Sequence, residues 1–321
     1  MGGRTVLPMK RFFLLAAMPV LALALPAAVR SQSGGPFVIV ETGQSFQTIN
    51  DAVSAVRDDD ATILIAPGTY RQCTVQAGGR ITYRARTPGT VVFEGTACEG
   101  KAAFVLRGRG STVDGIIFRG ISVADGNGAG IRTEIGDLTV TNSMFLDSQE
   151  GILGGQPSAQ RVVIDHSTFA GLGQCETYDC SHSVYLSNNG SVTITNSRFE
   201  RGTGGHYVKV RTPMLTVTDS SFDDSAGTKT NYMIDMSEGG AGLIARNTFV
   251  QGAHKENWTA FITLAAEKRT FSTAGLRIEN NVASLAPGFD KSPAFVADYA
   301  HDRPIMANNR LAAGIRDYET R

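Results

Sequence analysis

Several short segments in the middle of the chain place a reactive or charged residue directly after an aliphatic one. Successive side chains of a β-strand point to opposite faces, so an inward aliphatic residue predicts an outward neighbour. The outward positions of six such segments are Arg132, Leu153, Tyr185, Lys209, Asp235 and Thr263. If these segments are stacked strands, about 4.8 Å apart, Tyr185, Lys209 and Asp235 fall into one column.

Three more ionisable residues lie at fixed offsets from this column. Arg211 follows Lys209 by two residues, on the same face and about 6.6 Å along the strand. His182 and His206 each lie two residues before an inward position, where a strand begins. The sequence therefore predicts one patch that combines two histidines, a tyrosine, two cations and an acid.

This combination suits proton abstraction next to a carboxylate, as in β-elimination on a uronic-acid polymer. Loss of the C-5 hydrogen builds negative charge on the carboxylate oxygens, and a cation has to stabilise that charge. A base takes the proton, and an acid protonates the leaving glycosidic oxygen. An ion pair between Lys209 and Asp235 would favour the charged ammonium, which is a poor base. In that case His206 or Tyr185 is the better base, and Lys209 neutralises the carboxylate.

A short phrase that recurs along the chain indicates the elements that must position these residues. Its copies end in phenylalanines spaced 23–30 residues apart, namely Phe118, Phe145, Phe169, Phe199, Phe222 and Phe249. A turn rich in glycine, serine or aspartate follows each copy, and one of the segments described above follows the turn. This period predicts a solenoid of stacked coils, because a β-propeller needs about 40 residues per blade.

The N-terminal part of the predicted solenoid contains a candidate capping helix. Phe46, Ile49, Val53 and Val56 fall on one helical face, and Ser45 is expected to cap the helix. Such a helix would cover the exposed end of the stack.

This helix and the segment after it, Ala61–Tyr70, resemble the opening of pectate-lyase-like right-handed parallel β-helices. The resemblance covers about residues 37–310. It implies an all-β, right-handed parallel β-helix with a short N-terminal capping helix. The superfamily includes polysaccharide lyases, glycoside hydrolases, uronate epimerases, phage tailspikes and non-catalytic surface proteins, so the resemblance specifies the fold more strongly than the reaction.

The resemblance to the lyases of this superfamily also implies roles for the patch. Arg211 would neutralise the substrate carboxylate and Lys209 would be the base. Tyr185 or His206 would be the acid. The predicted catalytic residues are Lys209, Arg211, His206, Tyr185 and His182, and the predicted substrate contacts are Asp235, Arg132 and Trp258. No metal ligands and no cofactor are predicted, although calcium stays open because some of these lyases use it.

The leading expectation is therefore a polysaccharide lyase that acts on an acidic, uronate-containing glycan. The alternative is a non-catalytic β-helix that binds glycan or forms part of a cell surface. A glycoside hydrolase is less well supported, because it needs two apposed carboxylates and Asp235 has only Glu238 or Glu150 as candidate partners. An alginate-type epimerase would use an Asp-Pro-His string, which Asp179–His182 does not match.

Two further strings are similar to strings of pectate lyases. Val163-Ile-Asp-His166 is similar to their Trp-Ile-Asp-His, but it falls in register with the recurring phrase, which explains it without a functional role. Arg211-Thr-Pro213 is similar to their Arg-x-Pro, without the second arginine of that family.

The start of the chain predicts export. Residues 1–31 are expected to be a signal peptide, and residues 32–321 a single β-helix domain. A basic start at residues 9–11 precedes an apolar run at 12–25, with cleavage near Ala28 to Ser31. The run is shorter than the roughly 20 residues that span a bilayer, so no stable membrane insertion is expected after cleavage. The expected location is the periplasm or the outside of the cell.

Export permits disulfides, and the four cysteines fit two of them. Cys73 and Cys98 are separated by about one coil, and Cys175 and Cys180 could close a small loop.

The charge balance of the chain indicates which classes of partner to expect. Lys and Arg number 30, as do Asp and Glu, so the chain has no global excess of positive charge for nucleic acid. The expected partner is an acidic polysaccharide or another glycan, bound by a monomer.

Overall fold

Each coil of the fold contains three short strands joined by turns, and the recurring phrase supplies the first two strands. The segment after the following turn supplies the third.

The structure, a computed structural model, describes residues 1–3, 34–155, 160–187 and 190–321. Gly34–Arg321 form one compact unit. The predicted signal peptide belongs to the preceding residues and, beyond residue 3, lies outside the described part of the chain.

Equivalent strands of successive coils pair to form three sheets. Sheet 1 contains β1 (Phe37–Ile39), β2 (Ser45–Phe46), β3 (Asp60–Ile65), β6 (Arg80–Ala85), β9 (Gly110–Asp114), β12 (Asp137–Thr141), β15 (Arg161–Asp165), β18 (Ser191–Thr195), β21 (Met214–Thr218), β24 (Ala241–Ala245), β27 (Leu276–Glu279) and β30 (Ile305–Ala307). Sheet 2 contains β4 (Gly68–Tyr70), β7 (Val91–Glu94), β10 (Ile116–Arg119), β13 (Met144–Leu146), β16 (Thr168–Ala170), β19 (Arg198–Glu200), β22 (Ser221–Asp223), β25 (Thr248–Gln251), β28 (Val282–Leu285) and β31 (Arg310–Leu311). Sheet 3 contains β5 (Thr74–Gln76), β8 (Ala102–Leu106), β11 (Ala129–Thr133), β14 (Glu150–Gly154), β17 (Val184–Ser187), β20 (Val208–Arg211), β23 (Ile234–Met236), β26 (Ala260–Leu264), β29 (Ala294–Asp298) and β32 (Arg316–Thr320).

The strand order confirms the predicted fold class. Apart from β1, which pairs antiparallel with β2 and β3, neighbouring strands of each sheet are parallel and come from successive coils. The result is an all-β, right-handed parallel β-helix, the hand that connections between parallel strands adopt.

The phenylalanines of the recurring phrase stack along the core on sheet 2. Rings from Phe118 to Phe249 lie nearly parallel, with centroids of neighbouring rings 4.8–5.1 Å apart, and each side chain is fully buried. Because one coil cannot bury its own aromatic ring, the stack stabilises each coil through its neighbours.

Serines and asparagines of the phrase form a second ladder in the turn between sheets 1 and 2. The backbone N–H of Ser167 donates to Oγ of Ser197 at 3.2 Å, and that of Ser197 donates to Oγ of Ser220 at 3.1 Å. The residue before each ladder position has a positive φ, for example 48° at Asn196 and 46° at His166. His166 thus occupies a turn position of the repeat, and the fold explains its string without a catalytic role.

The predicted capping helix is present, but it begins later than expected. Helix α1 spans Ile49–Val56, and Thr48 is its N-cap, because the Thr48 hydroxyl accepts a hydrogen bond from the Asp51 N–H at 3.1 Å. The assignment of Ser45 as the cap was wrong, since Ser45 belongs to β2 and pairs with Val38 of β1. The helix packs against the strands of the first coil and closes that end of the core.

Both predicted disulfides are present. Cys73 and Cys98 link neighbouring coils with their Cα atoms 5.4 Å apart, and Cys175 and Cys180 close a short loop with a Cα separation of 4.2 Å. Such bonds are typical of proteins that fold outside the reducing cytoplasm. In the part of the chain that the structure describes, no helix has the length and apolar character needed to cross a membrane.

Candidate functional site

Sheet 3 aligns the outward residues as the alternation pattern predicted. In the parallel pairing of β17, β20 and β23, Tyr185 is opposite Lys209, and Lys209 is opposite Asp235. The same ladder continues from Arg132 through Leu153 to Tyr185 on one side and to Thr263 on the other. The strands therefore bring Tyr185 and Lys209 together on the outer face of the sheet.

Asp235 differs from the expectation of an ion pair with Lys209. Its carboxylate accepts hydrogen bonds from Ser237 at 2.6 Å and from Thr263 at 2.8 Å, and the residue is only 2% exposed. Burial raises the pKa of Asp235. Among the described residues no ion pair joins this carboxylate to Lys209. Asp235 does not line the cleft described below, and its role as a substrate contact stays a prediction.

Lys209 and Arg211 bind a carboxylate from a more distant turn instead. The Lys209 ammonium lies 2.7 Å from Oε1 of Glu267, and Nε of Arg211 donates to Oε2 of the same group at 2.9 Å. Glu267 follows β26, and its carboxylate is 39% exposed, whereas the Lys209 side chain is 12% exposed. Glu238 lies 3.7 Å from Arg211 as a further acid. Lys209 and Arg211 thus bind the same carboxylate.

The two predicted histidines are in direct contact at the start of β17 and β20. The backbone N–H of His206 donates to Nδ1 of His182 at 3.0 Å, so the neutral His182 ring carries its proton on Nε2. Nδ1 of His206 is 3.2 Å from the same atom, and Nε2 of His206 is 3.6 Å from Asp235. His206 therefore directs both ring nitrogens at protein groups.

Both imidazoles are neutral near pH 7. Burial, together with the charges of Lys209 and Arg211, lowers the pKa of His182 to about 3. Burial also lowers the pKa of His206 well below its usual range. Neutral rings can serve as hydrogen-bond donors and acceptors without adding charge next to the cations.

Tyr185 joins the histidines to the cations. Its ring packs edge-to-face on His182, with centroids 5.3 Å apart. The Arg211 guanidinium carbon is 5.1 Å from the ring centroid, and the Lys209 ammonium is 5.7 Å from it. Positive charges at these distances stabilise negative charge that develops on the ring oxygen during proton transfer.

These groups line a cleft of about 460 Å³ over sheet 3. The strands and the turns before them contribute Glu150, His182, Tyr185, His206, Lys209 and Arg211. The surrounding loops contribute Asp125, Asn127, Thr177, Tyr178, Asp179, Cys180, Asn231, Glu256 and Glu267. The five predicted catalytic residues therefore share one cleft, and the disulfide loop of Cys175 and Cys180 forms part of its wall.

A buried ion pair fixes two of the loops that border the cleft. The side chains of Asp224 and Lys255 are fully buried, with 3.0 Å between the charged atoms, and Thr230 donates to Asp224 at 2.9 Å. Asn231 and Glu256, which directly follow Thr230 and Lys255, line the cleft. The ion pair thus holds the wall in place without contributing to its surface.

Two predicted substrate contacts, Arg132 and Trp258, do not line this cleft. Arg132 is on the same ladder, but it is not a lining residue, and its Nε is 3.8 Å from Glu134. Trp258 stacks under the ammonium of Lys291, which lies 4.8 Å from the ring centroid, and it does not line the cleft either.

Sequence reasoning missed the positions of Glu267 and Glu150 in the cleft. Glu150 lies two residues before an inward aliphatic residue, the offset that selected His182 and His206, so the same rule could have found it. No comparable signal marks Glu267, because its position depends on the conformation of the turn after β26. Within the described residues, no three His, Cys, Asp or Glu side chains are grouped so as to hold a metal ion.

The comparisons with known proteins concern the fold. No protein-family model matches the chain, and no curated protein matches it. Among solved structures it is similar to the pectin methylesterase from Aspergillus niger, at 15% identity over 90% of each chain with a TM-score of 0.49. Escherichia coli YbhC has 14% identity over 71% of this chain and 75% of that chain, with a TM-score of 0.48. A PL6 alginate lyase in complex with a trisaccharide has 15% identity over 81% of this chain and 57% of that chain, with a TM-score of 0.33. The strand order given above, and not these similarities, defines the fold.

Proposed function

We propose that this chain is a polysaccharide lyase that cleaves a uronate-containing glycan by β-elimination in the cleft over sheet 3. This proposal rests on the binding of the single Glu267 carboxylate by Lys209 and Arg211. Two cations that bind both oxygens of a carboxylate form a site of the right charge and geometry for the carboxylate of a uronate.

A substrate carboxylate would replace that of Glu267. The exchange leaves the number of charges and hydrogen bonds at Lys209 and Arg211 unchanged, and Glu267 is exposed enough to turn into solvent. Once the substrate is bound, loss of its C-5 proton increases the charge on its carboxylate. Lys209 and Arg211 then stabilise the transition state more strongly than the ground state.

Tyr185 is the group in the cleft best suited to take the C-5 proton. Lys209 is paired with a carboxylate and stays charged, so it acts as a neutraliser rather than as a base. His182 already accepts a hydrogen bond on Nδ1, and His206 directs its nitrogens at His182 and Asp235. His182 is left with its Nε2–H as a donor, and His206 positions His182.

Export and a glycan partner are part of the same proposal. Two disulfides suit an oxidising compartment, and a secreted or periplasmic monomer would encounter polymeric glycan there. The signal peptide at residues 1–31 and the single domain at 32–321 stay predictions.

A panel of uronate polymers tests the reaction. The purified protein is incubated with each polymer, and the absorbance of the unsaturated sugar product is followed together with the number of new reducing ends. Elimination predicts that both rise in proportion. Reducing ends without unsaturated product would instead indicate hydrolysis and would overturn the proposal.

A non-catalytic glycan-binding protein is the second candidate, because Glu267 already occupies both cations. Retention of the protein on an immobilised uronate polymer, with no unsaturated product at any pH tested, would favour that candidate over the lyase.

A further inference from the structure

We infer that Glu150 is a further catalytic residue of this cleft, the general acid that protonates the leaving glycosidic oxygen. The inference rests on the proposed lyase function and adds the group that the mechanism above does not yet contain. Tyr185 takes a proton and Lys209 and Arg211 bind charge, but none of these assignments provides a proton for the oxygen that departs from C-4.

The fold places Glu150 in one column with the two histidines. Ile152 pairs with Val184, and Glu150 lies two residues before Ile152 as His182 lies two residues before Val184. Glu150 is therefore one coil away from His182, at the start of β14. It lines the same cleft as Tyr185.

Glu150 carries a buried carboxyl group. The residue is 1% exposed, and the backbone N–H of His182 lies near enough to the carboxyl group to lower its pKa. Its Oε2 makes no hydrogen bond to any residue that the structure describes. A buried polar atom without a partner is costly, and this one belongs to a side chain that lines a cleft. A substrate oxygen would provide the missing partner.

The surroundings of Glu150 favour its protonated form. Burial raises its pKa well above the usual range, and the negative charge of Asp125 acts in the same direction. The His182 N–H and the charge of Arg132 oppose this effect without cancelling it. Glu150 is thus a neutral acid that can donate a proton, whereas an exposed glutamate would be ionised.

The elimination takes one proton from the substrate and returns one to its leaving group. Tyr185, as the phenolate, takes the C-5 proton, the electrons of that bond form the C-4–C-5 double bond, and the C-4–O bond breaks. The proton of Glu150 passes to the leaving oxygen, which departs as a hydroxyl group. Tyr185 is left protonated and Glu150 ionised. Loss of a proton from Tyr185 to solvent and uptake of one by Glu150 restore the starting state.

Leaving-group dependence tests this role. Glu150→Gln keeps the size and neutrality of the side chain but removes its acidic proton. Two substrates are compared: the best uronate polymer, and a uronate that carries a 4-nitrophenoxy group at C-4, whose leaving oxygen needs no protonation. We expect kcat to fall about 100-fold or more on the polymer and to stay within about tenfold of wild type on the nitrophenoxy substrate, as for loss of a general acid.

Controls separate this role from a structural one. Thermal unfolding of Glu150→Gln near neutral pH shows whether the fold is kept. Glu279→Gln removes a carboxylate of β27 on sheet 1, where Glu279 pairs with Arg277, and should leave both activities unchanged. In the wild type, raising the pH should reduce turnover of the polymer before turnover of the nitrophenoxy substrate, because ionised Glu150 no longer donates.

The outcomes distinguish the two proposals. Equal losses of Glu150→Gln on both substrates, in a folded variant, or no loss on the polymer, would overturn the role of Glu150 and leave the lyase proposal standing. If the wild type forms no unsaturated product from either substrate, the lyase proposal fails, and the assignment of Glu150 fails with it.

Discussion

Lys209 and Arg211 provide the positive charge of the cleft, and turnover should depend on both. Lys209→Ala or Arg211→Ala is expected to lower kcat/KM about 100-fold or more, the scale of losing a charge-stabilising donor. The fold should be kept, since partly exposed ion pairs contribute at most about 1 kcal/mol to stability. Activity on the best polymer, with circular dichroism as the check on folding, measures this.

Lys268 and Arg269 offer matched controls for that experiment. Both are exposed cations in the turn that carries Glu267, and they do not line the cleft. Their replacement by alanine should leave kcat/KM near the wild-type value. Wild-type activity of Lys209→Ala would contradict the proposed mechanism.

Glu267 competes with the substrate for the two cations, and its removal should strengthen substrate binding. Glu267→Gln is expected to lower KM for a uronate polymer about fivefold, which corresponds to the roughly 1 kcal/mol of a favourable exposed ion pair. The value of kcat should change little. A higher KM in this variant would show that Glu267 contributes to binding and does not compete with it.

At the level of residues, alternation along the strands was sufficient to predict part of the site. It aligned Tyr185 with Lys209 because strand side chains have a period of two. It could not show that Asp235 is buried under hydrogen bonds from Ser237 and Thr263, since burial depends on the side chains around it. It could not find Glu267 at all, because a turn has no period.

The loop closed by Cys175 and Cys180 is an element whose main effect should be on binding. It places Thr177 and Asp179 in the wall of the cleft, outside the stacked coils. Replacing both cysteines by serine is expected to raise KM for the polymer severalfold, because the wall loses its fixed shape. Steady-state kinetics of the double variant measures this, and an unchanged KM would mean that the loop does not contact substrate.

The bond between Cys73 and Cys98 should act on stability instead. It closes a span of 25 residues, so its loss is expected to lower the free energy of unfolding by about 3 kcal/mol through the entropy of the unfolded chain. Urea unfolding of the Cys73→Ser, Cys98→Ser variant tests this. A fall in kcat under conditions in which the variant remains folded would be inconsistent with a purely structural bond.

The elements themselves were largely predictable, because the repeat specifies them several times over. Each phrase predicted one strand and each following segment a second, whereas the structure divides each phrase between two strands. The phenylalanine stack confirms the shared register. The helix start was wrong by three residues because Ser45 and Phe46 pair with β1. Such an antiparallel pairing leaves no trace in helical periodicity.

For the whole molecule, the buried ionisable groups predict a stability maximum near neutral pH. His182 and His206 have lowered pKa values, so the unfolded state binds more protons than the folded state below pH 6.5. Stability should therefore fall as the pH drops from about 6.5 toward 3. The pKa of Glu150 is raised in the folded state. The free energy of unfolding should therefore fall as the pH rises above 4.5, the ordinary pKa of this side chain.

Urea unfolding across the pH range checks both signs. His206→Asn should flatten the loss of stability on the acid side, and Glu150→Gln should flatten the loss on the alkaline side. Parallel pH profiles of the wild type and Glu150→Gln would show that Glu150 is ionised in the folded protein.

The protein chain holds the carboxylate of Glu267 close to the cations that it binds. This sets a minimum concentration for any ligand that competes with it. A group on a short tether acts at an effective concentration in the millimolar range, roughly, so a free anion must exceed that level to displace it. A lone acetate or a single uronate unit would displace Glu267 only above that concentration. A polymer offers many carboxylates on one chain, and contacts elsewhere in the cleft keep the next one close. The tethered carboxylate therefore favours long polysaccharides over short ones, whatever sugar they contain.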